Sequence, residues 1–324
     1  MTSDPQDIAA SCPVCGGAIG LWGVPYLNPD YIHTTLFDRL TISVCGACGF
    51  GFVPERIEGA ELHHFYEAQY RALGSPMALD FTTVLHTRHY DERCFAQVTL
   101  ARFFCDFRAG DVFCDIGPGP GLSFAAATVL LDRPQLAAVE LAPEAAAFYC
   151  RTFPGIATLA SIEELGEQQA KMILMSHSLE HFTAEGAPAA LSELRPRIAP
   201  GGVLIVEVPY ADFRGEYLRL RRWDAPHLCF FSAESLRRLV QDAGFRVLYC
   251  ERTGDDLAAF FSGAVGRRRP MVERLRAAIP DAWIGRLRYL KDMLYPVWAA
   301  AALRHDQYAR NDDGYCLRLI AVPA

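Results

Sequence analysis

Two groups of residues in this chain have types and spacings that could do chemistry: paired cysteines, and acids set beside glycines. Cys12-Pro13-Val14-Cys15-Gly16 and Cys45-Gly46-Ala47-Cys48-Gly49 each have the CxxC-Gly form. Such thiolates can grip one metal ion, and the glycine lets backbone N–H groups turn toward the sulfurs. Separated by 29 residues, the two pairs suit a tetrahedral zinc ribbon with ligands Cys12, Cys15, Cys45 and Cys48. A four-thiolate site is closed, so structural Zn2+ without zinc chemistry is expected. The second group is Cys114-Asp115-Ile116-Gly117-Pro118-Gly119-Pro120-Gly121. Its glycines allow a sharp turn and close approach of a ligand to the backbone, and the N–H groups of the following helix offer a weakly positive end. Asp115 can accept hydrogen bonds from a cationic or hydroxyl-bearing ligand. Glu140, after the apolar run Leu136–Val139, suits a ribose diol.

These residues need a scaffold, and the apolar pattern supplies one. Strands are expected near 111–116, 136–140, 156–160, 171–176, 202–208, 245–251 and 314–322. Helices are expected near 84–109, 121–131, 143–152, 186–199 and 232–243. Alternation of this kind means a parallel sheet covered on both faces. Ser232 reads as a helix cap, and Asp242-Ala243-Gly244-Phe245 as a glycine stop feeding a strand. Residues 1–60 read as the zinc ribbon, 61–110 as a helical linker on the substrate side, and 111–324 as the large domain. A helical insertion spans about 254–306.

The chain has 324 residues, 51% of them hydrophobic, and a net charge of −7. No apolar run is long enough for a membrane span, the polar N-terminus is unlike a secretory signal, and a cytoplasmic protein is expected. The acidic balance argues against a nucleic-acid partner. From 264 to 304, however, nine Lys/Arg stand against three Asp/Glu. With Trp283, Leu287, Leu290, Leu294 and Trp298 at roughly helical spacing, this stretch reads as a lid, a dimer surface, a membrane-surface helix or a cap on the sheet. The oligomeric state is not legible.

Ligands of parallel sheets bind at the carboxyl ends of strands. Ser176-His177-Ser178-Leu179-Glu180-His181 follows the fourth strand, so it shares a crevice with Asp115 and Glu140. His227 lies in Trp223-Asp224-Ala225-Pro226-His227. Three histidines near one cleft suit acid/base work near neutral pH. Tyr66 and Tyr70, at i and i+4, share a helix face, whereas His63 and His64 read as partly exposed helix residues. Arg214, Arg219, Arg221 and Arg222 could grip a phosphate or form a solvated face.

The combination of the four-cysteine ribbon, DIGPGPG, SHSLEH, PGGVLIVEVP and PHLCFFSAESLRRLVQDAGF resembles class I S-adenosylmethionine (SAM)-dependent methyltransferases, within them the zinc-ribbon group related to the deoxysugar C-methyltransferases. The resemblance covers most of residues 12–253. It implies a seven-stranded Rossmann-like α/β sheet with an antiparallel final strand, and SAM as cofactor. It places Asp115, Gly117, Gly119 and Gly121 at the methionine part, Glu140 at the ribose and Ser161 with Ile162 beside the adenine. His177 would close over the cofactor, while His181 and His227 would face the acceptor. Two departures bear on the acceptor. Pro226-His227 stands where the sugar enzymes show Glu-His, so their carboxylate is missing, and the chain after the sixth strand is short. Both weaken carbon methylation at a ketosugar and leave O- or N-methylation open; a hydroxyl of a sugar or natural product is the expected acceptor, with C- or N-methylation of a nucleotide-linked sugar as the alternative. An RNA methyltransferase and a non-catalytic SAM-binding partner are the readings from other classes.

Overall fold

The structure is a computed structural model that describes residues 11–28, 34–70, 88–166, 169–262 and 310–324. Near the N-terminus, β1 (Ile19–Pro25), β2 (Thr41–Cys45) and β3 (Gly51–Phe52) form an antiparallel sheet. Its fourth strand comes from far along the chain: β9 (Cys229–Phe230) pairs with β3, Gly51 opposite Phe230 and Phe52 opposite Cys229. The cysteine-bearing segment is thus built into the same sheet as the loop that carries His227. Helix α1 (Gly59–His64) continues into a π-helical turn, Phe65–Gln69.

The larger sheet has seven strands: β4 (Val112–Ile116), β5 (Gln135–Val139), β6 (Ala157–Leu159), β7 (Ala170–Ser176), β8 (Ile198–Pro209), β10 (Phe245–Asp256) and β11 (Gly314–Pro323). Their order is β10-β11-β8-β7-β4-β5-β6. Neighbours from β8 to β6 are parallel, while β11 runs antiparallel to both β8 and β10. All seven expected strands are present, and the final one is inserted between the fifth and the sixth.

Successive residues of β4 face opposite sides. Phe113 packs with Phe95, Val98, Phe124 and Tyr149, whereas Val112 and Cys114 pack with Leu191, Leu194, Leu236 and Leu239. This period of two, with both faces buried, explains the near-continuous apolar runs. The first face is covered by α2 (Arg88–Ala101), α3 (Leu122–Leu130) and α4 (Pro143–Thr152), the second by α5 (Gly186–Leu194) and α7 (Ala233–Asp242). The second core also contains Cys12, Val14, Ile19 and Phe50, so the cysteine-bearing segment packs directly on the sheet. Two shorter helices, α6 (Tyr217–Leu220) and α8 (Leu257–Ser262), flank a third cluster around Phe37, Phe65, Phe213 and Tyr315.

Some boundaries differ from expectation. The helix expected over 84–109 ends at Ala101, and 186–199 is helical only to Leu194, where Arg195-Pro196-Arg197 tightens into a 3-10 turn. The proline at 196 removes a helical donor there. β8 starts at Ile198, ahead of Gly201, whose φ is +65°. Most of the expected insertion, including the basic stretch 264–304, lies outside the described residues. Among the described residues no helix is long and apolar enough to cross a membrane.

Candidate functional site

A cleft of about 2000 Å³ opens along the carboxyl ends of the parallel strands. It is larger than the roughly 300–1,000 Å³ of a single small-ligand pocket, so it has room for two molecules side by side. Asp115, Gly117, Gly119, Glu140, Ser161, Ile162, His177, His181 and His227 all line it. The turn after β4 is why the strand can end so abruptly. Gly117, Gly119 and Gly121 have φ of +69°, +58° and +75°, a region that a Cβ disfavours. Gly121 caps α3, and a Cβ there would meet Phe153 at 3.2 Å and Tyr149 at 3.4 Å. Leu122, where a dinucleotide turn would have a third glycine, is buried as the first residue of α3.

Asp115 is 1% exposed. One carboxylate oxygen accepts from the Ser123 hydroxyl; the other, Oδ1, has no hydrogen-bond partner among the described residues. Burial pushes its carboxyl up to about 7, against the opposing hydrogen bond from Ser123. Glu140, at the end of β5, accepts from the Ala142 N–H at 3.0 Å and from the Tyr149 hydroxyl at 3.1 Å. The same hydroxyl lies 2.5 Å from the carbonyl of Gly119, its one hydrogen shared between the two acceptors, which ties the glycine turn to the second acid. An orphaned buried oxygen beside a glycine cradle, with an oriented acid across from it, fits a ligand carrying a cationic group and a sugar diol. SAM is such a ligand.

Beyond β7 the chain turns sharply at His177, whose φ of +54° is left-handed, a costly conformation for a non-glycine residue. Its N–H donates to the Glu207 carbonyl at 2.7 Å. Its ring lies between two buried carboxylates, Nδ1 3.4 Å from Glu180 and Nε2 3.7 Å from Glu207, with the Cys316 sulfur 3.5 Å from Nε2. Burial and Arg93 oppose protonation of this imidazole, but the Cys316 sulfur and the Glu180 carboxylate outweigh them, and its pKa lies well above the ordinary histidine value. Glu207 itself accepts from Arg318 Nε at 2.6 Å. Arg318 is 1% exposed in the middle of the sheet.

The 3-10 turn Leu179–His181 presents Glu180 and His181 together. The His181 and His227 rings are 5.0 Å apart. A backbone bond from Leu228 N–H to the Glu180 carbonyl, 2.7 Å long, ties the two segments. Tyr66 reaches in from the π-helical turn, its hydroxyl 2.9 Å from His181 Nδ1 and donating to the Pro226 carbonyl at 3.2 Å. Tyr70 packs edge-on to both Tyr66 and His181. Burial, reinforced by His181, drives the His227 pKa down to about 3. Burial lowers His181 as well, against the pull of Glu180. Burial works against ionisation of Glu180, but the hydrogen bond and charge of His177 hold its carboxyl down at about 2, with His181 and His227 adding to this. This end of the cleft thus holds neutral imidazoles beside a buried carboxylate.

The four N-terminal cysteines also meet, all four sulfurs within 4.8 Å of one another. Cys12 and Cys48 are 3.7 Å apart and Cys15 and Cys45 3.4 Å, too far for a disulfide. Sulfurs ~2.3 Å from a shared zinc in a tetrahedron stand ~3.8 Å apart. Backbone N–H groups of Val14, Gly17 and Cys48 point at the sulfurs from 3.3–3.4 Å, as the CxxC-Gly pattern anticipates.

The arginines read either as a phosphate grip or as a solvated face are mostly engaged within the protein. Arg214 bonds Asp212 and the Ala47 carbonyl, Arg219 pairs with Glu216, and Arg221 binds Asp224 and the Pro25 carbonyl. Arg222 is exposed and does not line the cleft. Sequence reasoning missed Glu180, Arg318 and Tyr149. Glu180 was hidden between two histidines. Arg318 and Glu207 each interrupt an otherwise apolar strand, and that pairing of opposite charges was the available signal.

A methyltransferase-domain family model matches residues 86–249, half of the chain. The protein belongs to this family, and its enzyme class is SAM-dependent methyltransferase. Similar solved structures include a Burkholderia thailandensis 1,6-didemethyltoxoflavin-N1-methyltransferase with bound 1,6-didemethyltoxoflavin and S-adenosylhomocysteine (21% identity, 63% of this chain and 88% of that one, TM-score 0.45). The cyclopropane synthase MmaA2 from Mycobacterium tuberculosis is another (16%, 70% and 82%, 0.45). A third is the mitomycin 7-O-methyltransferase MmcR (18%, 62% and 59%, 0.44). Among curated protein sequences, none matches the chain.

Proposed function

We propose that this enzyme methylates a small polar acceptor, a hydroxyl of a sugar or natural product, with SAM held by Asp115, Gly117, Gly119, Gly121, Glu140, Ser161, Ile162 and His177. The observation that carries this reading is the buried, unpartnered Oδ1 of Asp115 beside three left-handed glycines. When bound, SAM supplies an electrophilic methyl group on a sulfonium. The chain's own contribution is to orient and to handle a proton. Asp115 offers a carboxylate to the cationic methionine end, and Glu140, steadied by Tyr149 and the Ala142 N–H, offers one to the ribose. Ser161 and Ile162 flank the base, and His177, fixed by its backbone bond to Glu207, closes over the cofactor.

His181 and His227 act on the acceptor proton. In this reading the single hydroxyl hydrogen of Tyr66 goes to Pro226 O, 3.2 Å away, and its oxygen accepts from His181 Nδ1–H at 2.9 Å. That leaves the Nε2 lone pair of His181 as the basic atom. Glu180, beside both rings, stabilises the imidazolium that forms. Glu180 also stands in for the carboxylate absent at position 226, and that favours carbon methylation of a sugar as a second reading. The four cysteines hold structural Zn2+, supported by sulfur spacings close to a tetrahedral edge.

Calorimetric titration with SAM tests the cofactor assignment. Wild type binds, and Asp115→Ala and Glu140→Ala each weaken binding at least tenfold; equal binding by all three would sink it. With an acceptor in hand, His227→Ala should lose about 10²–10⁴ in kcat at unchanged SAM affinity.

A further inference from the structure

We propose that Glu180, His181 and His227 form a divalent-cation site at the acceptor end of the cleft. One ligand atom from each lies within 4.8 Å of the others, so modest side-chain movement brings them onto a single ion. Glu180 is 1% exposed, and neither of its carboxylate oxygens has a hydrogen-bond partner among the described residues. The ring of His177 stands off at 3.4 Å from Oε1. His177 serves Oε1 alone; Oε2 of this buried carboxylate has no such neighbour among the described residues, which is costly unless something positive meets it.

The supporting contacts are those of a metal-bound histidine. Tyr66 engages His181 Nδ1 at 2.9 Å and has Pro226 O at 3.2 Å to take its hydrogen, an arrangement in which Nδ1–H donates to Tyr66 and Nε2 is the atom that ligates. His227 is anchored through its backbone: its N–H donates to Asp224 O at 2.7 Å, and Tyr26 donates to its carbonyl at 2.8 Å. The neighbouring trio His177, Glu207 and Cys316 is equally compact. It carries no such site, because Glu207 is already paired with Arg318.

Two imidazoles and one carboxylate suit Mn2+, Fe2+, Co2+ or Zn2+ better than the all-oxygen cations. Three protein ligands leave positions open toward the cleft for water or an acceptor oxygen. The inference rests on the methyl-transfer reading only for the identity of that oxygen. With the ion bound, His181 and His227 act on the acceptor as its ligands, and without it they are free bases.

Mn2+ is the discriminating probe, since it is poorly suited to the four thiolates. Full-length protein titrated with Mn2+ and followed by electron paramagnetic resonance should take up one ion per chain. Glu180→Gln and His227→Ala should each weaken uptake at least about 100-fold, and Tyr66→Phe about 10–100-fold. Thermal melts establish that the variants fold; should Glu180→Gln not fold, His227→Ala and Tyr66→Phe carry the test. No uptake by wild type, or uptake by folded variants equal to wild type, overturns the site. SAM binding measured on the same samples separates the two readings. Mn2+ uptake without SAM binding defeats the methyltransferase assignment alone, and SAM binding without Mn2+ uptake defeats the cation site alone.

Discussion

The raised pKa of Asp115 makes SAM affinity a function of pH. In the ligand-free protein this carboxyl titrates near 7 because it is buried. A cationic ligand facing Oδ1 stabilises the charged form and returns the pKa toward the ordinary aspartate value of about 4. Binding at acid pH must therefore expel a proton. Linkage between these two values weakens SAM binding about tenfold at pH 6 and about 100-fold at pH 5 relative to pH 8, each factor of ten being about 1.4 kcal/mol. The SAM amino group stays protonated over the acid half of this range, near or below an ordinary α-amino pKa of about 8. The assay is calorimetry from pH 5 to 8 in buffers of different ionisation enthalpy, which also counts protons released. Asp115→Asn, a permanently neutral mimic, should bind with the weak acid-limit affinity at every pH. The same raised value has a stability consequence of opposite sense. A carboxyl whose folded pKa exceeds its unfolded one contributes stability below about pH 4 that is lost as pH rises through about 7, so Asp115→Asn should be the more stable protein at pH 8, by up to about 4 kcal/mol. A flat wild-type profile, or a slope that survives in Asp115→Asn, would refute the reasoning.

Other perturbations follow from the same geometry. Arg318→Met leaves the Glu207 carboxylate buried with half its partner set, which should cost about 3–5 kcal/mol in urea denaturation; adding Glu207→Leu should recover most of it. Gly121→Ala forces a side chain to φ +75° against Phe153, costing about 1–2 kcal/mol and weakening SAM binding together with stability. Cys48→Ser, or removal of metal by a chelator, should lower stability by ~3 kcal/mol or more, about 6–12 °C in melting temperature. Unchanged melting with zinc stripped would show the four thiols to be ordinary core cysteines.

The order in which these features became readable has a physical basis. β4, β7 and β8 are legible because a strand buried on both faces must be apolar along its whole length, and Phe113, Ile173 and Val206 sit in such runs. The glycine turn is legible because only glycine tolerates its backbone. β1 is not, because Leu21 and Trp22 are exposed and its burial does not alternate. β9 spans only two residues and exists through its partner β3, so no local pattern announces it. Within the site, Asp115 and Glu140 stand out at strand ends. Glu180 does not: nothing local distinguishes a solvated glutamate from one buried between three histidines. Its role arises only when the turn after β7 is brought to the loop before β9, a contact between residues far apart in sequence.

That loop has a mechanical consequence. His227 stands two residues ahead of the strand that completes the cysteine-bearing sheet, and Ser232, just beyond it, donates to the Cys48 carbonyl at 2.5 Å. The wall that carries His227 is thus braced by the four clustered sulfurs. Peroxide or a thiol-reactive metal attacking the Cys12, Cys15, Cys45 and Cys48 cluster would slacken the loop of His227 while sparing the glycine turn, leaving a protein that still binds SAM but loses turnover.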